Sequence, residues 1–404
     1  MENKKNFAWP VTTVCKYDLK AFEDFIEEKA SFLREKRIVV FGAGIRGTQY
    51  SFFLKRLGYS DIVFTDNNIK KVGGYINEFP IVSLNQIVAE KGKNVILVSL
   101  ENGGTICCQL EELGFEKDRD FFYIDNHLYD EYEKRFMNRE ETKTILMGDC
   151  GITDLAIKDT NSANLGEMIT EKTGKNAVKV LAIHAMGMRA YYTIFKAHCE
   201  HVYKPQNAVL MVNLEVFTGK QHLLPRSQHA ALIERISNDV QNKDPELLEY
   251  AKITKERFSN FKNDYFTSSD NALKDMGQGT NEKIVIKMNY MFRMDTENEC
   301  IVYLKKFIQY CQEKNIKLLL FIPPANYEYA QTLWGDSFKE KYDKNVKVLL
   351  DIAGENNVPI KDFSYRLPAH KFADICTIDE TLNQDGRKIV SEELIAEMRK
   401  EGMV

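Results

Sequence analysis

Two glycine-punctuated stretches of this chain hold residues with the types and spacing for chemistry. The first is "FGAGIRG" at 41–47, where Gly42, Gly44 and Gly47 form G-x-G-x-x-G. That spacing suits a phosphate. One glycine permits a tight turn, the second lets the backbone approach a pyrophosphate, and the third lets a helix pack close to a strand. The helix N-terminus beyond it offers unpaired N–H groups to the anion. Asp66, about twenty residues further on, is placed to accept from a ribose hydroxyl. The second stretch is "GDCG" at 148–151. Cys150 there reads either as a small buried residue or as a nucleophile, because a thiol of ordinary pKa ~8.5 is lowered at a helix N-terminus. Its thiolate passes through a thioester, which serves acyl transfer at least as well as hydrolysis. Asp149 either tunes that thiol or caps the helix. His184 and His370 can reach a sheet edge as bases; His222 and His229 open a polar stretch. A lone histidine beside an apolar strand is more often a satisfied core residue.

These residues need strands and helices to hold them. Apolar runs at 37–41, 62–65 and 94–100 read as strands, and 120–125 closes a sheet of about five. Further strands are expected at 144–147, in "VKVLAIH", in "NAVLMVN", in "IKLLLFIPP" at 316–324 and in "VPIKDF" at 358–363, each followed by a helical pattern. Alternating strands and helices predict α/β architecture with doubly wound parallel sheets. The predicted order is a helical lead at 1–35, a first domain at 36–126, a helical connector at 127–143 and a second domain at 144–404. That second domain carries an insertion at about 222–280, which falls on the ligand side of the sheet as a lid or acceptor surface. A solvated helical excursion or an oligomer contact is the plainer reading. "PPAN" at 323–326 places Asn326 and Tyr327 at the same edge.

Bulk properties narrow the function classes. The 404 residues are 44% hydrophobic and 28% charged with a net charge of -4, a balance that does not favour a nucleic-acid surface. The eight cysteines form no C-x-x-C pair, so neither a zinc knuckle nor a disulfide framework is signalled, and no metal cluster is evident. There is no signal-peptide pattern and no run approaching the ~20 apolar residues that span a bilayer, so a cytoplasmic location with reduced thiols is expected.

Two resemblances sharpen these readings. Through "FGAGIRG", "IVFTDNN", "PIVSLNQI" and "VILVS…ICCQLEELGF", residues 36–125 resemble the small Rossmann-like domains attached to surface-polysaccharide and sugar-modifying enzymes. That resemblance implies either a nucleotide or nucleotide-sugar ligand or a domain used only for packing. Residues 144–404 resemble an SGNH (GDSL-type) hydrolase or acyltransferase domain, a flavodoxin-like three-layer sandwich. Gly148-Asp149-Cys150 stands where the family has Gly-Asp-Ser. Gly187 in "HAMGMRAY" matches the oxyanion N–H, Asn213 in "LMVNLEVF" the oxyanion amide, and Asp379 in "IDETLNQDGR" the triad acid. The family histidine has no counterpart, since Thr381 runs directly into Leu382. The later portion is most similar to the branch with cell-wall D-alanylation and alginate-acetylation proteins, whose members work outside the membrane.

The resemblance implies ester-type chemistry on a sugar or nucleotide-sugar, with Cys150 as nucleophile, Gly187 and Asn213 at the oxyanion, Asp379 assisting, and His370 or His184 replacing the base. Two other readings stand beside it. One is a degenerate pocket that binds a glycan or partner without catalysis. The other is an NAD(P)-dependent oxidoreductase built on Gly42–Gly47.

Overall fold

The run "NVILV" at Asn94–Val98 buries every side chain, as a strand covered on both faces must. The computed structural model describes residues 5–8, 11–100, 103–124, 128–174, 176–184, 186–218, 227–259, 281–294, 298–376, 378 and 380–404. The chain divides into two compact units, Met1–Leu128 and Tyr129–Val404. Both are α/β with largely parallel sheets, consistent with doubly wound architecture.

The first unit opens with helices α1 (Lys16–Glu28) and α2 (Ala30–Arg34). Apart from the short strand Thr13–Cys15 before α1, its described strands are β1 (Arg37–Phe41), β2 (Ile62–Thr65), β3 (Tyr75–Ile76), β4 (Phe79–Val82), β5 (Asn94–Val98) and β6 (Phe121–Tyr123). They form one six-stranded sheet in the order β3-β4-β2-β1-β5-β6, one strand more than the apolar runs predict. The extra strand is the two-residue β3, paired antiparallel to β4 through a turn in which Asn77 has φ 53°. Two residues are too short for a periodic signal. Helices α3 (Ile45–Arg56), α4 (Leu84–Ala89) and α5 (Gly104–Glu112) cover the sheet. Val39 and Phe41 join Ile87, Ile106 and Leu110 in one core, while Phe22 of α1 meets Tyr50 and Phe53 of α3.

Apart from the short strand Asp154–Ala156, the described residues of the second unit form five strands, all parallel: β7 (Thr144–Gly148), β8 (Val178–Ala182), β9 (Asn207–Met211), β10 (Lys317–Ile322) and β11 (Ile360–Asp362). Their order is β8-β7-β9-β10-β11, so the chain reverses its winding direction between β7 and β9. Ligands of open parallel sheets bind beyond the carboxyl ends of the strands at such a point. The described helices are α6 (Leu128–Met137), α7 (Cys150–Thr153), α8 (Leu165–Thr173), α9 (Met188–His201), α10 (Ser227–Asp239), α11 (Pro245–Ser259), α12 (Asn281–Tyr290), α13 (Glu299–Glu313), α14 (Tyr327–Trp334), α15 (Asp336–Glu355) and α16 (Gln384–Lys400). α8 and α16 share a core with Leu146, Val209 and Phe321. Phe195 of α9 stacks on Phe307 of α13 at 4.7 Å. Within the expected insertion, α10 and α11 are described and 260–280 lie outside the described residues.

α9 also buries a histidine that does no chemistry. His198 is fully buried, with the rings of Phe136 and Tyr203 packed edge-on against it. Burial, with the Lys179 charge adding to it, pushes its pKa from 6.5 down to about 3. The unfolded chain therefore takes up this proton below pH 6.5 while the fold refuses it. Stability is whole above 6.5 and drains as pH falls toward 3, at about 1.4 kcal/mol per pH unit. Urea midpoints at pH 7.5 and pH 5 should differ less in His198→Phe than in the parent; an equal difference would show that the acid sensitivity lies elsewhere.

Candidate functional site

At the end of β7, Gly148 has no room for a side chain: a Cβ would lie 2.3 Å from Ile152 and 3.1 Å from Met211. Asp149 follows, 1% exposed, and caps α7 through Oδ1, which accepts from Gly151 N at 3.1 Å. The capping role weighed for Asp149 is thus present. Cys150 is the first residue of α7 and half-buried. It does sit at a helix N-terminus, but that helix is a single turn. One turn aligns few peptide dipoles, so the electrostatic activation expected from a longer helix is weak.

β8 leads into Ile183, whose N–H reaches Gly148 O at 3.3 Å, and His184 follows on that rim. Gly187 caps α9 with its backbone, accepting from Tyr191 N at 3.0 Å. Tyr191 itself is fully buried, and its hydroxyl makes no hydrogen bond. Burial first, then the charges of Asp149, Cys150 and Glu380, drive the phenol well above its ordinary range. Asp149 and Cys150 from one stretch and Glu380 from a distant one thus all act on this ring.

Asn213 lies two residues past β9 and is 2% exposed. Its Nδ2 donates to Asp149 Oδ2 at 2.6 Å and to Glu380 Oε2 at 2.7 Å. Both amide hydrogens are therefore committed, and Oδ1 is buried without a partner. The donor expected to face an oxyanion faces a carboxylate of the protein itself. Glu380 was not singled out in the sequence. Its neighbour Asp379, the expected acid, lies outside the described residues. Glu380 is 6% exposed.

His370 does not join this cluster. Its side chain is exposed and its carbonyl accepts from Asn383 Nδ2 at 2.7 Å. The residues that lead into and begin α16 are structural. Asn383 caps α16 by accepting from Asp385 and Gly386. A Cβ on Gly386 would lie 2.3 Å from Lys371 O. Arg387 is fully buried and donates to Asp159 Oδ2 at 2.6 Å and to the carbonyls of Ala163, Leu382 and Asn161. Asn326 likewise caps α14 and holds the carbonyls of Asp374 and Ile375, while Tyr327 packs edge-on against Tyr365.

In the first unit the glycine turn has the expected shape. Gly42 has φ +116°, a Cβ on Gly47 would strike Gly42 O at 2.0 Å, and nothing lies within 4 Å of a Cβ on Gly44. The backbone at Gly44 is therefore open on its Cβ side. Asp66, however, is turned into the loop. Its Oδ2 accepts from Ala43 N at 2.8 Å and Lys71 Nζ at 2.9 Å, and Oδ1 accepts from Asn68 N at 2.8 Å. Burial opposes its ionisation, but these donors prevail and hold the carboxyl below its ordinary range. The turn has the glycine geometry expected of it, while the acid expected to read a ribose is spent closing the turn.

The second unit is thus a parallel α/β sheet with a buried polar cluster at the strand ends where the winding reverses. Comparison with family models and with curated proteins finds no match. No described helix is long and apolar enough to cross a membrane.

Proposed function

We propose that the second unit is an atypical SGNH-like acyl-handling domain, flavodoxin-like in topology, with Cys150 as nucleophile and Glu380 as the base in place of the family histidine. One observation carries this reading: Asp149, Asn213 and Glu380 meet through a single amide beside Cys150 and Tyr191, at the ends of β7 and β9. In the proposed reaction the Cys150 proton passes to the Glu380 carboxylate. Sulfur attacks the acyl carbonyl, and the bond to the alkoxide leaving group breaks as that oxygen takes the proton from Glu380. Water or a second hydroxyl then attacks the thioester, Glu380 accepting its proton, and the carbon–sulfur bond breaks as the departing Cys150 sulfur takes that proton back from Glu380. The N–H groups of Cys150 and Gly187 stabilise the oxyanion, and protonation of Glu380 loosens its hold on Asn213 so that the amide can join them. A sugar or nucleotide-sugar acceptor follows from the first unit's resemblance.

The purified protein treated with a thiol alkylator at neutral pH should label Cys150 ahead of the other seven cysteines, read by mass spectrometry. An activated acetyl ester should leave acetyl on Cys150, and Cys150→Ala should lower its turnover about 10³-fold or more. Uniform labelling together with unchanged turnover would remove the nucleophile.

A second reading has its own support. Because both Asn213 hydrogens go to the protein's own carboxylates, the cluster is rich in acceptors and suits hydroxyl donors of a bound glycan without catalysis. Under it, Cys150→Ala binds glycan with unchanged affinity and neither protein turns over esters.

A further inference from the structure

Far from that rim, the last turn of α9 meets the start of α11 across three carboxylates and one lysine. Asp244 is 1% exposed and caps α11, its Oδ1 accepting from Leu247 N at 2.9 Å. Its Oδ2 is sealed from solvent and makes no hydrogen bond. His201 Nε2 is likewise sealed and without a hydrogen bond, and the two atoms face each other at 3.6 Å. Glu200 adds a carboxylate oxygen, so that three ligand-type atoms lie within 4.8 Å of one another. Lys196 stands beside them, 2.8 Å from Glu246, 3.7 Å from Glu200 and 4.0 Å from Asp244. Glu246 also accepts from the Tyr192 hydroxyl at 3.2 Å.

Two features separate this cluster from an ion-pair network. A gap of 3.6 Å is too long for a hydrogen bond. It is close to the spacing, roughly 3.3–3.5 Å, of two ligands each ~2.0–2.1 Å from one tetrahedral ion. The charges also fail to balance: Glu200, Asp244 and Glu246 face the single ammonium of Lys196, leaving two negative charges when His201 is neutral. A divalent cation cancels that excess.

We propose that Glu200, His201 and Asp244 form a binding site for a zinc-class divalent ion, with water as fourth ligand. One imidazole and two carboxylates suit zinc and its first-row neighbours better than the all-oxygen cages of calcium or magnesium. Lys196 stays on Glu246, its closest partner. The site closes the end of α9 opposite Gly187, and a helix of 14 residues spans roughly 20 Å, so the ion is structural and remote from Cys150. It staples α9 to α11, which runs back along it, Glu246 reaching Lys196 and Glu249 reaching Arg189 at 3.6 Å.

The test uses tag-free full-length protein stripped by a chelator and titrated with zinc chloride in a calorimeter, with bound zinc counted after dialysis. One equivalent per chain and a raised Tm in zinc are expected. Asp244→Asn keeps the capping oxygen but loses the charge, and His201→Gln loses the imidazole; each should weaken binding tenfold or more. Lys196→Met removes a competing cation and should tighten binding severalfold, whereas in a plain ion-pair network it would only destabilise. Absence of stoichiometric uptake, uptake unchanged in both ligand variants, or no tightening in Lys196→Met overturns the assignment.

Discussion

Arg387→Met is expected to destabilise the second unit by about 3–5 kcal/mol, the usual cost of stripping one partner from a buried ion pair. The guanidinium, fully buried, holds Asp159, whose side chain is 8% exposed, and three backbone carbonyls. Burial lowers its pKa, with Asp159 resisting. Methionine fills much of the volume yet satisfies none of the four acceptors. Lysine should rescue poorly, because a point charge cannot reproduce the forked geometry. Denaturant midpoints of the unit's transition measure the loss, and the double variant with Asp159→Asn should recover part of it. A loss below about 1 kcal/mol would mean water replaces the arginine at little cost.

Glu380→Gln should move activity and stability in opposite directions. Removing a general base lowers turnover by about 10²–10⁴. The glutamine carbonyl can still accept from Asn213, while the repulsion between two buried carboxylates gathered on one amide disappears. A gain of roughly 0.5–2 kcal/mol is expected, the usual exchange where a strained polar cluster serves function. Calorimetric melting and single-turnover acyl transfer measure the two halves. Full turnover in this variant would strip Glu380 of its role and leave Cys150 to another base.

Much of this architecture is legible in the residues. Apolar runs of four to six residues mark β1, β5, β7, β9 and β10 because a strand covered on both faces has no polar side to show. Gly42 and Gly47 are legible too, since turn and close packing leave them no alternative. The cluster is legible only in part. Gly148-Asp149-Cys150, Gly187 and Asn213 each end or follow a predicted strand, so their shared edge follows from topology. Which hydrogen bond each makes does not. Asn213 is spent on carboxylates because of Glu380, and whether Glu380 or a neighbour faces inward depends on the path of a loop that no periodicity encodes. Tyr191 reads as one more apolar position on an amphipathic helix. Its place one turn after Gly187 is the single clue, and it gains meaning only once β7 and β9 flank it. Asp244 meets His201 through the packing of two helices, so their separation in the chain conceals the group.

The segment before α16 is fastened at both ends. Ala373 N reaches Thr381 O at 2.9 Å, Asn383 N reaches Lys371 O at 3.1 Å, and Phe372 bridges Leu382. Glu380 stands immediately before the paired Thr381, so this main-chain pairing helps to present its carboxylate to Asn213. The acid of this rim is therefore tethered by backbone pairing that any residue type could make, which leaves its identity to the side chain alone.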